Sequence, residues 1–304
     1  MNQELIDKIK EIVPAENVLT DEPMSRHTTF KCGGPAKCFV RIKSSFEAAA
    51  LIKLLKSMKQ CYYCIGNGSN LLVSDEGFDG VIIELHGDSN DIGVMNNTIT
   101  ANAGVLNGYI ARKALENSLS GFEFAAGIPG SIGGAVVMNA GAYGSDISHV
   151  IISAEAVDAD GNVITINKND MELGYRTSIF RTSSYIITSV KLELDKGEQS
   201  EISGKMNELM ALRKEKQPLE YPSAGSTFKR PEGYFAGKLI MDAGLKGYTV
   251  GGAQVSEKHA GFVINKGGAT AFDIYHLICD VKEKVYEKFG VELSPEVIML
   301  GNFK

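Results

Sequence analysis

Apolar and polar positions divide the chain into short periodic segments. Residues 5–13 have helical spacing, and residues 36–42 (AKCFVRI) alternate as a strand does. Ser44 and Glu47 form the S-x-x-E pattern of a capping box. Behind it Leu51, Leu54, Leu55 and Met58 recur at i, i+3, i+4 and i+7, one face of a helix. YYCI at 62–65 predicts a returning strand, completing a βαβ unit that ends in Gly66-Asn67-Gly68-Ser69-Asn70. Strand patterns follow at 81–85 and 97–101, and helical spacing at 105–117. From 150 to 166 the chain alternates around Asp160-Gly161, the signal of a type I′ hairpin. Residues 185–194 predict another strand. Residues 201–216 (Ile202, Met206, Leu209, Met210) predict a helix stopped by Pro218. A short helix is expected at 235–243 with Gly244 after it. A long one is expected at 271–289, with Ile274, Leu277, Ile278, Val281 and Val285 on one face and Gly290 at its end. A last strand is expected at 297–300. Shifts in composition near 65 and near 200 suggest three regions.

Composition narrows what these elements serve. Hydrophobic residues are 44% of the 304, too many for a disordered chain. Net charge is −6, which speaks against a general nucleic-acid binder. Five cysteines are an odd number and do not form a disulfide framework. Cys61-x-x-Cys64 resembles a redox or zinc pair, but in a strand its two members point to opposite faces. No second pair or nearby histidine completes four ligands, so structural cysteines and no metal are expected. The N-terminus is charged throughout, with no apolar stretch of a signal peptide. Residues 124–145 carry no charge and are long enough to span a bilayer. Their glycines and Pro129 make a poor helix. The segment reads as buried loop and short turns of a soluble, cytoplasmic chain with no membrane partner.

Thirty-three residues are glycine, about 11% against roughly 7% on average, and they cluster. Gly66-Asn67-Gly68-Ser69-Asn70 and Gly127-Ile128-Pro129-Gly130-Ser131-Ile132-Gly133-Gly134 are the two dense loops. A missing Cβ lets consecutive N–H groups close on a phosphate, and Ser69 and Ser131 add hydroxyls. Either loop alone is more often a tight turn. Neither contains G-x-x-x-x-G-K-[ST] or G-x-G-x-x-G, which argues against a P-loop or Rossmann site. Two such loops, one inside an uncharged stretch, favour a diphosphate held inside the protein, as in FAD.

The segment Ala126-Gly-Ile-Pro-Gly-Ser-Ile-Gly-Gly-Ala-Val-Val-Met-Asn-Ala-Gly-Ala-Tyr-Gly144 closely resembles the signature of the UDP-N-acetylenolpyruvoylglucosamine reductase family, flavoenzymes of peptidoglycan precursor synthesis. Further pieces stand in the family's order: Thr28-Thr29-Phe30, Gly66 to Leu71, Gly174 to Arg181, Ala224 to Lys229, Gly237 to Ile240, Lys258 to Gly261 and Pro295-Glu296-Val297. The resemblance covers nearly the whole chain. It implies an α+β fold, with an FAD-binding domain of the vanillyl-alcohol-oxidase (p-cresol methylhydroxylase) type and a C-terminal α+β substrate domain. By that division residues 1–65, with 297–304 packed on them, and 66–198 form two FAD-binding subdomains, and 199–296 bind the UDP sugar.

The resemblance also implies chemistry. In the family NADPH reduces FAD, and reduced FAD reduces an enolpyruvyl ether to a lactyl ether. Arg176 matches the catalytic arginine; a guanidinium can bind the substrate carboxylate bidentately. Ser226 matches the proton donor. Glu296 matches the catalytic glutamate, which could donate a hydrogen bond or help position Arg176. Read as isolated residues these are a salt-bridged arginine, a loop hydroxyl and a strand-edge glutamate. Thr28, Thr29, Gly66 to Asn70, Gly127 to Ser131, Gly133, Gly134 and Asn139 are expected at a non-covalent FAD. Tyr175, Lys216, Lys229, Arg230, His259 and Asn265 are candidates for the UDP sugar. The interval from Arg176 to Ser226 is too short for the tyrosine-bearing loop of longer relatives, so Tyr175 and Arg230 are possible substitutes. Two alternatives remain: a related FAD-dependent alcohol oxidase, and a nucleotide-binding module without catalysis.

Overall fold

The computed structural model describes residues 2–303. It contains two compact units. The first comprises residues 1–20, 38–67 and 80–212; the second comprises 21–37, 68–79 and 213–304. The fold is α+β. No helix among the described residues is long and apolar enough to cross a membrane.

The first unit is built on a five-stranded antiparallel sheet. Its order is Val163–Asn167, Ile151–Val157, Ile186–Glu193, Thr98–Asn102, Ile92–Met95. The helix Ser45–Ser57 packs on this sheet and buries Leu51, Ile52 and Leu55 completely. Its start is the expected capping box: Ser44 accepts from the Glu47 N–H, and the Glu47 carboxylate accepts from the Ser44 N–H. The strand Tyr62–Ile65 runs parallel to Phe78–Leu85, in a four-stranded sheet ordered Val18–Pro23, Pro35–Ile42, Phe78–Leu85, Tyr62–Ile65. Cys61 is exposed and Cys64 half-buried, and neither is in a disulfide among the described residues. Burial pushes the Cys64 thiol up to about 12, so at neutral pH it is neither a nucleophile nor a ready metal ligand.

Two expectations change here. The 151–167 hairpin exists, but its register pairs Val157 with Val163, leaving a five-residue loop in place of a two-residue type I′ turn. The Asp158 carboxylate explains this: it accepts from the N–H groups of Asp160 and Asn162 and from the Asn162 side chain. Such an Asx-type turn competes with the Asp-Gly pair for the backbone. In addition, the uncharged 124–145 stretch is not all loop, since Ile132–Val137 forms one short helix capped by Ser131.

The second unit pairs a three-stranded antiparallel sheet (Thr249–Val250, Ala253–Val255, Val263–Asn265) with the helix Ala271–Phe289. Ile274, Leu277, Ile278, Val281 and Val285 are the buried face of this helix, as their spacing predicts. Gly290 closes it at φ 66°. At its start the Asp75 carboxylate accepts from the N–H groups of Ala271 and Phe272, both at 2.9 Å. The last strand, Ile298–Leu300, pairs in parallel with Leu71–Val73. That pairing sets 71–73 beside 298–300 within the same unit.

Candidate active site

Candidate site residues lie in both units, and in each unit long-range hydrogen bonds hold the loops that carry them. In the first unit the two glycine loops meet. Gly66 lies so close to Ser131 that a Cβ there would sit 2.1 Å from the Ser131 hydroxyl oxygen. The Asn67 amide donates to the Pro129 carbonyl at 2.6 Å. The segment 103–107 supports the second loop: Ile132 and Gly133 donate their N–H groups to the carbonyls of Val105 and Ala103. Those two donors are therefore spent on the protein. The backbone N–H groups of Asn67, Gly130 and Ser131 are not; none of the described residues accepts from them.

The boundary between units falls within the first loop, after Asn67. In the second unit Gly68 has φ +58°, and a Cβ there would lie 1.9 Å from the His27 carbonyl oxygen. Thr29 donates its N–H to the Gly68 carbonyl. The Thr29 hydroxyl is buried without a partner among the described residues, while Thr28 donates to the Cys32 carbonyl. The N–H groups of Gly68 and Ser69 also have no acceptor among the described residues. Open N–H groups on glycine-rich backbone are what a diphosphate needs, so the residues present fit FAD.

The arginine turn lies in the first unit. Gly174 and Thr177 exchange backbone hydrogen bonds around Tyr175 and Arg176. Arg176 sits at φ +55°, a conformation few non-glycine residues adopt without enforcement. The enforcement comes from the signature segment. The buried Asn139 amide donates to the Gly174 carbonyl at 3.1 Å and accepts from the Ser148 N–H at 3.0 Å. Arg176 itself donates to the Gly141 carbonyl at 3.2 Å, and its guanidinium lies 5.1 Å from the exposed Tyr175 ring. Asn139, expected at the cofactor, thus has one end of its amide on this turn and the other on the Ser148 N–H. The interval from Arg176 to Ser226 contains Ile179–Thr182, Ile186–Glu193, Asp195–Lys196 and Gln199–Lys216.

The serine and glutamate segments lie in the second unit and are side by side, although about 70 residues separate them in sequence. Phe228 and Pro295 form a bridge, Lys229 donates to the Ser294 carbonyl, and Glu296 donates to the Thr227 carbonyl at 2.8 Å. Thr227 is fully buried. Its N–H binds the Gly261 carbonyl, and its hydroxyl accepts from Val263. This clamp leaves its neighbour Ser226 exposed, its hydroxyl donating to the Phe228 carbonyl at 3.3 Å.

Around this pair the substrate candidates divide. Arg230 is exposed, with its guanidinium 4.5 Å from the Phe235 ring, and Lys216 is exposed. Lys216 and Lys229 form no ion pair among the described residues. Asn265 is buried, donating to the Phe30 carbonyl and accepting from Gly267 and Ala269. Its amide ties the 265–269 loop to Phe30. His259 packs edge-on against Phe262, and its Nδ1 accepts the Gly261 N–H. Burial lowers its pKa, so at neutral pH it is an uncharged imidazole with its proton on Nε2, a donor and not a cation. Sequence reasoning passed over Asn107, which is fully buried with neither amide atom bonded. It carries no motif that would single it out.

The α+β frame and its paired glycine loops define an FAD-binding oxidoreductase, and residues 36–167 match the FAD binding domain family. Residues 217–300 match the C-terminal domain of UDP-N-acetylenolpyruvoylglucosamine reductase. The chain is 51% identical over 315 residues to the UDP-N-acetylenolpyruvoylglucosamine reductase of Agathobacter rectalis, covering 100% of both chains. It is 52% identical over 303 residues to that of Clostridium botulinum, covering 99% of each. The solved reductase of Thermus caldophilus superposes with a TM-score of 0.79 at 33% identity, covering 93% of this chain and 98% of that one. The chain belongs to the UDP-N-acetylenolpyruvoylglucosamine reductase family.

Proposed function

We propose that the protein reduces UDP-N-acetyl-enolpyruvoylglucosamine to UDP-N-acetylmuramate in the cytosol, with NADPH as the reductant, as a step of peptidoglycan precursor synthesis. The observation that carries this reading is the seam in which Thr227 and Phe228 pair with Pro295 and Glu296. It runs the serine-bearing segment alongside the glutamate-bearing segment in a member of this family. FAD, when bound, supplies the two-electron carrier between NADPH and the substrate double bond. Residues 1–65 and 66–198 are assigned to the cofactor and 199–296 to the sugar nucleotide. Arg176, held at its strained φ, binds the substrate carboxylate and stabilises the charge that develops there. Ser226 delivers the proton to the carbon next to that carboxylate. Glu296 donates a hydrogen bond at the same carboxylate. Lys216, Lys229 and Arg230 are the cations for the diphosphate, with Tyr175 as a partial cover.

Ser226→Ala tests the assignment. Under anaerobic conditions NADPH should bleach the variant's flavin at the wild-type rate, while reoxidation by the enolpyruvyl substrate should slow by roughly 10²-fold or more. Equal losses in both half-reactions would remove Ser226 from the proton transfer.

A further inference from the structure

We propose that Asn70 is a positioning residue for Glu296, linking the end of the first glycine loop to the acid of the substrate site. The inference rests on the role assigned to Glu296 above. The Asn70 side-chain amide donates to the Glu296 carbonyl at 3.1 Å, across 226 residues of sequence. The Asn70 carbonyl in turn accepts from the Ile298 N–H at 3.0 Å. One residue thereby grips the chain on the C-terminal side of Glu296 at two points. On the other side the Glu296 N–H is held by the Thr227 carbonyl at 2.8 Å. The parallel pairing of Leu71–Val73 with Ile298–Leu300 begins at the next position, with Leu71 opposite Ile298. The backbone of Glu296 is therefore suspended between the glycine loop and the serine loop.

The residue type matters. A carbonyl oxygen accepts, so its partner must be a donor with a short, stiff arm. Asn supplies that, whereas Asp, nearly the same shape, would set a carboxylate against a carbonyl oxygen. In the same loop the backbone N–H groups of Gly68 and Ser69 have no acceptor among the described residues. The loop thus offers backbone donors for an anion and spends the side chain of its last residue on the acid. A misplacement of about 1 Å in a catalytic group costs on the order of 10²-fold in rate, so losing this contact should be felt in one half-reaction only.

The test uses the FAD-loaded full chain with Asn70→Asp, Glu296→Ala and the double variant. Flavin fluorescence gives FAD affinity, and anaerobic stopped flow gives the two half-reactions. On enzyme saturated with FAD, Asn70→Asp should slow bleaching by NADPH by no more than a few-fold. It should slow reoxidation by the enolpyruvyl substrate at least tenfold. In the Glu296→Ala background the same change should cost less than about twofold, because its effect passes through Glu296. Asn70→Ser shortens the side chain without adding charge; it should give the same pattern and covers the case in which the carboxylate unfolds the loop. An equal loss in bleaching by NADPH, or losses that multiply in the double variant, would overturn the proposal. If Glu296→Ala alone reoxidises at the wild-type rate, the role of Glu296 itself fails, and Asn70 has nothing to position.

Discussion

Gly68→Ala offers a quantitative test of how rigidly the first glycine loop is held, with Gly225→Ala as its control. Both glycines have positive φ, +58° and +75°, so alanine pays roughly 1–2 kcal/mol for the left-handed backbone at either site. Their surroundings differ. At Gly225 an added Cβ meets nothing within 4 Å. At Gly68 it would lie 1.9 Å from the His27 carbonyl oxygen and 3.2 Å from the Thr28 Cα. Ordinary contact begins at 3.4 Å, so the backbone must separate by about 1.5 Å. A side chain could rotate away, but these obstacles are main-chain atoms. The shift would cost a further 1–3 kcal/mol or so, the range for overpacking. It would also carry the open N–H groups of Gly68 and Ser69 off an FAD phosphate, and hydrogen bonds to a charged group contribute about 1.5–3 kcal/mol each. Gly68→Ala should therefore weaken FAD binding by at least roughly tenfold and lower the melting temperature further than Gly225→Ala does. Gly225→Ala should leave FAD affinity nearly unchanged. Flavin fluorescence titration and thermal melts of the apoprotein measure both. Equal effects from the two variants would refute the claim that the His27–Thr29 turn fixes this loop.

Three further outcomes are expected. Asn107→Leu replaces a fully buried amide with no hydrogen-bond partner among the described residues. Such a group costs about 1–3 kcal/mol, so the melting temperature should rise by several degrees, and a fall would mean that the amide has a bound partner. Asn139→Asp removes the donor that holds the Gly174 carbonyl; reoxidation by substrate should slow at least about tenfold with bleaching by NADPH preserved, and an unchanged rate would separate Asn139 from the arginine turn. His259 has its pKa lowered by burial from the ordinary value of 6.5, so below that value the unfolded chain binds more protons than the native one. The stabilisation is full above pH 6.5 and is lost as pH falls through that value toward the lowered one. Melting temperature should drop more steeply over that window in the wild type than in His259→Gln, and matching slopes would contradict the assignment.

Local chemistry was legible in the sequence where neighbouring residues determine it. The Ser44–Glu47 box, the apolar face from Ile274 to Val285 and the Gly290 stop all lie where their spacing predicts. The 158–162 turn was misjudged because the Asp158 carboxylate outcompetes a two-residue turn that the Asp-Gly pair alone would favour. The glycine loops stood out by composition, and the fold brings them together at Gly66 and Ser131. The use of each asparagine was not legible. Asn67, Asn70, Asn139 and Asn265 all lie in or near site motifs, yet their amides bond to Pro129, Glu296, Gly174 and Phe30. Those partners are 35 to 235 residues away. No local pattern encodes such pairs, because the fold alone brings them together.

The central claim is that this chain passes electrons from NADPH through FAD to an enolpyruvyl ether. An anaerobic titration of the FAD-loaded protein, followed by visible absorbance, tests it most directly. NADPH should bleach the flavin, and one equivalent of UDP-N-acetyl-enolpyruvoylglucosamine should restore the full yellow absorbance without oxygen. A flavin that stays bleached with that substrate and recovers only on admitting air would contradict the account and point to an oxidase.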